Sequence, residues 1–403
     1  MFDAIVVGAR CAGAPTAMLL GRKGHRVLLL DRSTFPSDLR QSTLLIHQPG
    51  VSYLERWGLF GKVRSSGAPL ITRWLVDLGP LVFKGTPPPD GRTASAIAPR
   101  RTVLDKILLD AAAAEAAVEV REGFIVEQIL MDGDQVVGIQ GKDRGGAPIT
   151  ERARIVIGAE GHNSLVAKAV HAPEYYQRES KICTVYSYWR DVQLLDGFQL
   201  EFYPRTYRAV YAWPTNDDQL LIGANWKVSE FEQVRTDPER HYMKVLAECA
   251  PEFSQRARKG KRVDEFVGGY ARNCFRKPYG AGWALVGDAG ASYEFTSAHG
   301  ITNAFRQAAQ IAEAIDEGLT QRRPMTDALS EFEQRRNEVE GAFYDFTYQQ
   351  ATLEPPEPGA LLLFAAIHRS QQATDAFLGL FAQTTRPADF FSPGNMNKLM
   401  EVT

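Results

Sequence analysis

The chain has 403 residues, 44% of them hydrophobic, with 46 Lys and Arg against 48 Asp and Glu and a formal net charge of -2. Such a length and apolar content can bury a large core and predict two domains, or one domain with a substantial insertion. The charge balance excludes a nucleic-acid surface, because neutralising phosphates needs a concentrated Lys/Arg excess that is absent here.

Cys11, Cys183, Cys249 and Cys274 are scattered, without the C-x-x-C spacing of a zinc or dithiol site, which predicts reduced, buried thiols and no metal centre. The N-terminal "FDAIVVGA" enters its first strand at once and leaves no room for a signal peptide, so a cytoplasmic location is expected. Near the other end "GALLLFAAI" (359–367) is far shorter than the ~20 residues that span a bilayer. It is read as a packing helix, and no transmembrane segment is expected.

In chain order, "AIVVGA" is a buried parallel strand, "AGAPTAMLLGRKG" a helix closing at Gly24, and "RVLLLD" a second buried strand ending on Asp31. Pro15 is tolerated because a first-turn N–H has no intrahelical partner. A loop and helix over "FPSDLRQSTLLIHQPGVSYLERWGL" precede a Pro/Gly-rich stretch with short β pieces, and "VLDKILLDAAAAEA" is a helix. A meander turning at Asp132-Gly133 leads into a third buried run, "ARIVIGAEG". Between about Glu174 and Phe266 the strands alternate and are rich in aromatics, which predicts an antiparallel sheet inserted into the first domain. The chain then returns with "WALVGDAG" and an amphipathic helix whose Ile301, Ala304, Phe305, Ala308, Ile311 and Ile315 share a face. The last eighty or so residues read as helical, with no chemistry evident in them.

The architecture expected is therefore α/β. A Rossmann-type nucleotide-binding domain occupies 1–72, 95–173 and 267–320, with an antiparallel β-sheet substrate domain at 174–266, an excursion to it at 73–94, and a helical C-terminal region at 321–403.

The chemistry starts at "IVVGARCAGA", a strand followed by a glycine-rich turn. In G-x-G-x-x-G turns the backbone N–H groups and the helix N-terminus face a pyrophosphate, and the middle glycine permits close approach. Gly8 and Gly13 are present, but Arg10 stands at the middle glycine, either adding charge to a pyrophosphate site or pairing with an acidic neighbour. Asp31 has the offset of the acidic residue that accepts from a ribose hydroxyl.

Three further stretches carry a resemblance. "IVIGAEGHNSLVAKAV" (155–170) resembles the D-G motif of flavoprotein hydroxylases, with Glu160 replacing its aspartate and Lys168 in the basic position. "WALVGDAGASYEFTSAHGITNAF" (283–305) resembles the G-D motif, and Arg101 in "RTVLD" matches the arginine of the R-x-x-[LF]-D stretch. Order and spacing agree, so residues 1 to about 320 resemble the FAD-dependent hydroxylases of the p-hydroxybenzoate hydroxylase fold and their geranylgeranyl reductase and flavin halogenase relatives.

The resemblance implies FAD held by Gly8, Arg10, Gly13, Asp31, Arg32, Arg101, Glu160, Gly287, Asp288, Gly300 and Ile301, with Arg40 reaching phosphate or nicotinamide. It implies reduction by NADPH or NADH without a second Rossmann domain, and oxygen transfer from a flavin hydroperoxide to an aromatic ring. The runner-up is an FAD-dependent reductase or dehydrogenase without oxygen insertion; a protein that binds flavin without turnover is the third possibility. For proton handling, His47 and His299 are the catalytic candidates. Tyr186, Tyr188, Tyr211, Trp213 and Phe295 are the expected substrate pocket, with Phe202 and Trp226 alternating in the same sheet and the register unassigned. Two departures stand out: Phe295 replaces the proline after the G-D motif, and the halogenase W-x-W-x-I-P signature is absent, "YAWPTN" (211–216) being a partial echo, which argues against halogenation.

Overall fold

The computed structural model describes residues 1–39 and 41–401. The chain opens with β1 (Phe2–Val7), α1 (Gly13–Arg22) and β2 (Val27–Asp31), whose strands are buried almost throughout, as continuous apolar runs inside a parallel sheet must be. After α2 (Gln48–Arg56) comes β3 (Trp74–Asp77), which belongs to a different sheet. The chain then returns through α3 (Arg101–Ala113), β4 (Val118–Glu122) and, after a hairpin of two strands (Ile125–Asp132 and Gln135–Lys142), the long β5 (Pro148–Gly158) and the short α4 (Leu165–Ala169).

The second sheet takes β6 (Ile182–Arg190), β7 (Leu200–Arg205), β8 (Arg208–Pro214) and β9 (Leu220–Lys227). The first sheet is completed by β10 (Trp283–Leu285), followed by α5 (Gly300–Leu319), the 27-residue α6 (Met325–Ala351) and α7 (Gln371–Phe381). In the first sheet the parallel order is β10-β5-β1-β2-β4. In the second, β6, β9, β8 and β7 are antiparallel neighbours, and β3 joins β7 in parallel, pairing Leu200 with Trp74 and Phe202 with Val76. The 73–94 segment thus brings two strands, β3 and Val82–Gly85, to the edge of that sheet.

Register sorts the aromatic residues. Trp74, Leu200, Phe202, Tyr211, Trp213 and Leu221 lie on one face and pack with Phe346, Phe377 and Phe381 of the C-terminal helices. Trp226 points the other way, into a core with Val185, Val210, Ile222 and the helix Pro238–Cys249. The helix Pro358–His368 packs only in part: Ala366 and Ile367 are buried, while Leu361 and Leu362 stay exposed. No helix among the described residues is long and apolar enough to cross a membrane. All four cysteines are buried and unpaired, and no metal-holding cluster exists among the described residues.

Candidate functional site: a groove at three strand ends and a cavity beside it

Because β1, β5 and β10 are adjacent and parallel, the loops after them meet at one edge: Gly8–Ala12, Ala159–Ser164 and Val286–Gly290. The chain order reverses between β1 and β5, and ligands of open α/β sheets bind outside the strand ends at such a switch point. Two helices start at this edge, α1 at Gly13 and α5 at Gly300, and their first N–H groups lack intrahelical partners. Gly8 sits at φ +100°, and a Cβ on Gly13 would stand 1.8 Å from the Gly8 carbonyl oxygen. The turn is therefore tight enough to present only backbone, the cradle a pyrophosphate needs.

Arg10 turns away from that cradle. Its Nη1 meets the Asp105 carboxylate at 2.6 Å, its Nη2 donates to Ser37 at 2.9 Å, and its guanidinium lies over the Phe35 ring. Arg101 donates to the same carboxylate at 3.0 Å, and the Cys11 thiol approaches it at 3.4 Å. Asp105 is fully buried and holds both arginines and the turn together. The sequence reading missed it, although it is the final letter of the "RTVLD" stretch that supplied Arg101.

The remaining groove candidates fall into two groups. Asp31 is occupied at both oxygens, accepting from the Ala9 and Ser33 N–H groups at 2.8 Å each. Glu160 accepts from Val166 N–H at the start of α4, leaving its other oxygen buried and without a partner, and burial pushes its carboxyl above the usual range. Arg32 and Lys168 are exposed, and Arg40 lies outside the described residues.

Asp288 makes no hydrogen bond among the described residues; its side chain is open to the groove, and desolvation raises its pKa against the pull of His162 and Arg101. Gly287 donates its N–H to Gln307 at 2.8 Å, and Gln307 in turn donates to both oxygens of Glu340, a buried carboxyl pushed up to about 7 by desolvation. Gly300 faces open space, and Ile301 behind it is buried.

Beside the groove, a cavity partly open to solvent lies between the second sheet and the 295–298 turn that precedes α5. Its walls include Trp74, Phe202, Tyr211, Trp213, Phe295 and Phe381, and among the described residues no Asp, Glu, Lys or Arg lines it. Tyr211 lies flat across β9 because Gly223 opposite has no Cβ; one would stand 2.1 Å from the ring. The Tyr211 hydroxyl bonds Thr184 at 2.7 Å, and Trp213 Nε1 donates to Thr43 O at 2.9 Å.

Tyr186 and Tyr188 share the sheet face but not the cavity. Tyr186 accepts from Ser42 N–H, and Tyr188 lies under the Arg100 guanidinium. The sequence reading also missed Trp74, Asn225, Thr296 and Phe381. The alternation of β9 placed Asn225 on the Tyr211 face, while nothing local marks Phe381, which comes from the region read as lacking chemistry.

His47 and His299 are edge to face at 5.5 Å. His47 Nε2 lies 2.7 Å from Ser297 O and His299 Nε2 lies 2.8 Å from Phe381 O. A carbonyl only accepts, so each Nε2 carries the proton and each Nδ1 keeps its lone pair. Both Nδ1 atoms are buried without partners. Desolvation pushes His47 down to about 4, and His299 is lowered in the same direction. Both rings are therefore neutral at physiological pH, and only His47 lines the cavity.

A family model described as FAD binding domain matches residues 1–347. The chain is 27% identical over 332 residues to digeranylgeranylglycerophospholipid reductase 1 of Methanopyrus kandleri, covering 79% of this chain and 82% of that protein. Among solved structures it superposes on the flavin-dependent brominase Bmp2 with a TM-score of 0.83 at 17% identity, covering 99% and 98% of the two chains. It superposes on PqsL of Pseudomonas aeruginosa, described as a "probable FAD-dependent monooxygenase", with a TM-score of 0.68 at 20% identity, covering 94% and 99%. PqsL has also been solved with 2-aminobenzoylacetate. The proteins this chain is similar to are thus named as a reductase, a brominase and a probable monooxygenase, and likeness of fold alone does not choose among such reactions.

Proposed function

We propose, from the premise that this chain belongs to the FAD-binding domain family and is a flavin-dependent oxidoreductase of the flavoprotein hydroxylase fold, that it is an NAD(P)H-dependent monooxygenase acting on an aromatic or flat apolar small molecule. The observation that carries this reading is the uncharged, aromatic-walled cavity beside the N-terminus of α5. The groove's features fit FAD: the Gly8–Gly13 cradle and the N-terminus of α1 suit a pyrophosphate, the unbonded Asp288 suits ribityl hydroxyls, and the N-terminus of α5 at Gly300 and Ile301 suits a ring that becomes anionic on reduction. Asp31 can still accept at its outer lone pairs, whereas Arg10 and Arg101 act by holding the turn through Asp105.

When bound, FAD supplies hydride acceptance and oxygen activation. The chain's part is to exclude water with the Phe202, Phe295 and Phe381 walls and to hold the substrate against them. His47, neutral and with Nδ1 free, is the cavity's proton acceptor; His299 sets the position of His47 and the start of α5.

The test is a ligand screen that follows NAD(P)H oxidation together with oxygen consumption. Substrate-dependent uptake of oxygen supports the monooxygenase. Substrate-dependent NAD(P)H oxidation without it would transfer the assignment to a reductase, the reading that the likeness to the Methanopyrus kandleri enzyme favours.

A further inference from the structure

The groove's carboxylates stand on two loops, Glu160 on Ala159–Ser164 and Asp288 on Val286–Gly290. At their roots the loops are tied by the parallel strands, with Val286 N–H donating to Gly158 O at 3.0 Å. Farther out, among the described residues, Arg276 joins them. It is buried at the end of the strand Asn273–Arg276 and donates from Nη1 to Ala289 O at 2.9 Å and from Nη2 to His162 O at 3.2 Å. Its Nε donates to Glu174 Oε1 at 3.1 Å. A rigid planar fork whose three nitrogens bond three separate segments has little freedom, so it fixes the separation of the two carbonyls it holds.

That separation matters because Asp288 has no hydrogen bond of its own among the described residues, which leaves its backbone to decide where the carboxylate stands. The backbone is held on both sides. Before Asp288, Gly287 N–H donates to Gln307 at 2.8 Å; after it, Ala289 O accepts from the Arg276 fork and Gly290 O from the Arg276 N–H at 2.8 Å. The fully buried Arg336 donates to Gly290 O at 3.1 Å and to Arg276 O at 3.0 Å, so the strand that carries the fork is itself anchored. A carboxylate kept unpaired for a ligand works only if its support holds it in place.

We propose that Arg276 is a positioning residue for FAD, which sets the width of the groove between the two loops and so holds Asp288 where the cofactor's sugar hydroxyls can reach it. It acts through the backbone on either side of Asp288. This rests on reading the groove as an FAD site and not on which reaction the flavin then performs.

A double-mutant cycle tests it, with FAD affinity read from flavin fluorescence as the loaded full-length protein is diluted. Arg276→Lys keeps the charge and loses the fork, and should weaken FAD roughly five- to twentyfold in the parent. Introduced into Asp288→Ala, the same substitution should change affinity by less than about twofold, because the carboxylate it positions is gone. A general loosening of the fold would instead cost the same factor on both backgrounds.

Equal losses on the two backgrounds, or an Arg276→Lys protein that keeps the parent's affinity, would overturn the proposal. Should Arg276→Lys not fold, Glu174→Ala carries the same cycle: it removes the anchor behind the fork and should weaken FAD roughly two- to fivefold in the parent and negligibly on Asp288→Ala, with equal losses again overturning the proposal. The parent's colour separates the two readings. A parent that takes up no FAD breaks the flavin assignment itself, and a yellow parent whose variants give equal losses breaks only the role of Arg276.

Discussion

The groove and the cavity are built from different parts of the peptide. In the groove the working surface is backbone: two glycines, two helix N-termini and loops after three parallel strands, with side chains such as Asp105 acting from behind. In the cavity the working surface is side chain, drawn from the loop before α2, from β3, β7, β8 and β9, from the 295–298 turn and from Phe381 at the end of α7. A backbone surface is broken by one added carbon and depends on buried support. A side-chain surface should yield by repacking and lose selectivity before it loses the fold.

The largest effect should come from that buried support. Asp105→Ala takes the shared carboxylate away from the buried Arg101 and the half-buried Arg10 and should cost roughly 3–5 kcal/mol in denaturant unfolding. Arg10→Gly, which restores the usual glycine, should lower stability too and bring no tighter hold on flavin. A cost below about 1 kcal/mol for Asp105→Ala would mean the arginines find other partners, and the backbone turn stands without them.

Next comes a pH effect from Glu340, which links the groove to α6. Its carboxyl titrates at about 7 in the folded protein against 4.5 normally, so from pH 4.5 to 7 the unfolded chain releases a proton the folded one keeps. Its contribution to stability is therefore full below about pH 4.5, falls as pH rises, and is lost by about pH 7, about 3 kcal/mol in all. Glu340→Gln keeps an acceptor for Gln307 and should flatten this slope in melting curves taken from pH 5 to 8. An unchanged slope would rule Glu340 out as its source.

A matched pair of substitutions separates the two regions directly. Gly13→Ala places its Cβ against the Gly8 carbonyl, which moves only with the turn, whereas Gly223→Ala meets the Tyr211 ring, which can swing. The first should strip flavin on gel filtration. The second should cost roughly 1–3 kcal/mol of stability, keep the flavin and weaken ligands of the cavity. The same result from both would erase the distinction.

Asp288→Ala, which removes the unbonded carboxylate from the groove, should weaken FAD by ten- to hundredfold, on the order of 1.5–3 kcal/mol, while Asp31→Asn weakens it less. Equal retention by parent and Asp288→Ala in a dialysis titration would remove Asp288 from the flavin site. Smallest is His299→Gln. With His299 outside the cavity lining and bonded to Phe381 O, flavin reduction by NAD(P)H in the presence of substrate should change within about tenfold, near 1.4 kcal/mol. Stopped-flow traces showing near-complete loss with FAD still bound would make it a catalytic group.

The amino-acid sequence alone determined the βαβ opening, the three strand-loop-helix motifs and the family they resemble. Each of these is local: an apolar run makes a buried strand, a glycine permits the tight turn, and a helix follows within a few residues. Even so, Arg10 remained undecided between pyrophosphate and an acidic neighbour, because its partner Asp105 is 95 positions away. Alternation in β6 to β9 marked two faces of a sheet without telling which one meets the cavity. That choice came from the pairing of β7 with β3, more than a hundred residues earlier, which set Trp74 and Phe202 on the Tyr211 face and sent Trp226 to the other. The protonation of His47 and His299 was decided by two backbone carbonyls, one of them at Phe381 in a region with no local signal of chemistry. Contacts between distant segments leave no mark on local periodicity, and the tertiary structure alone supplies them.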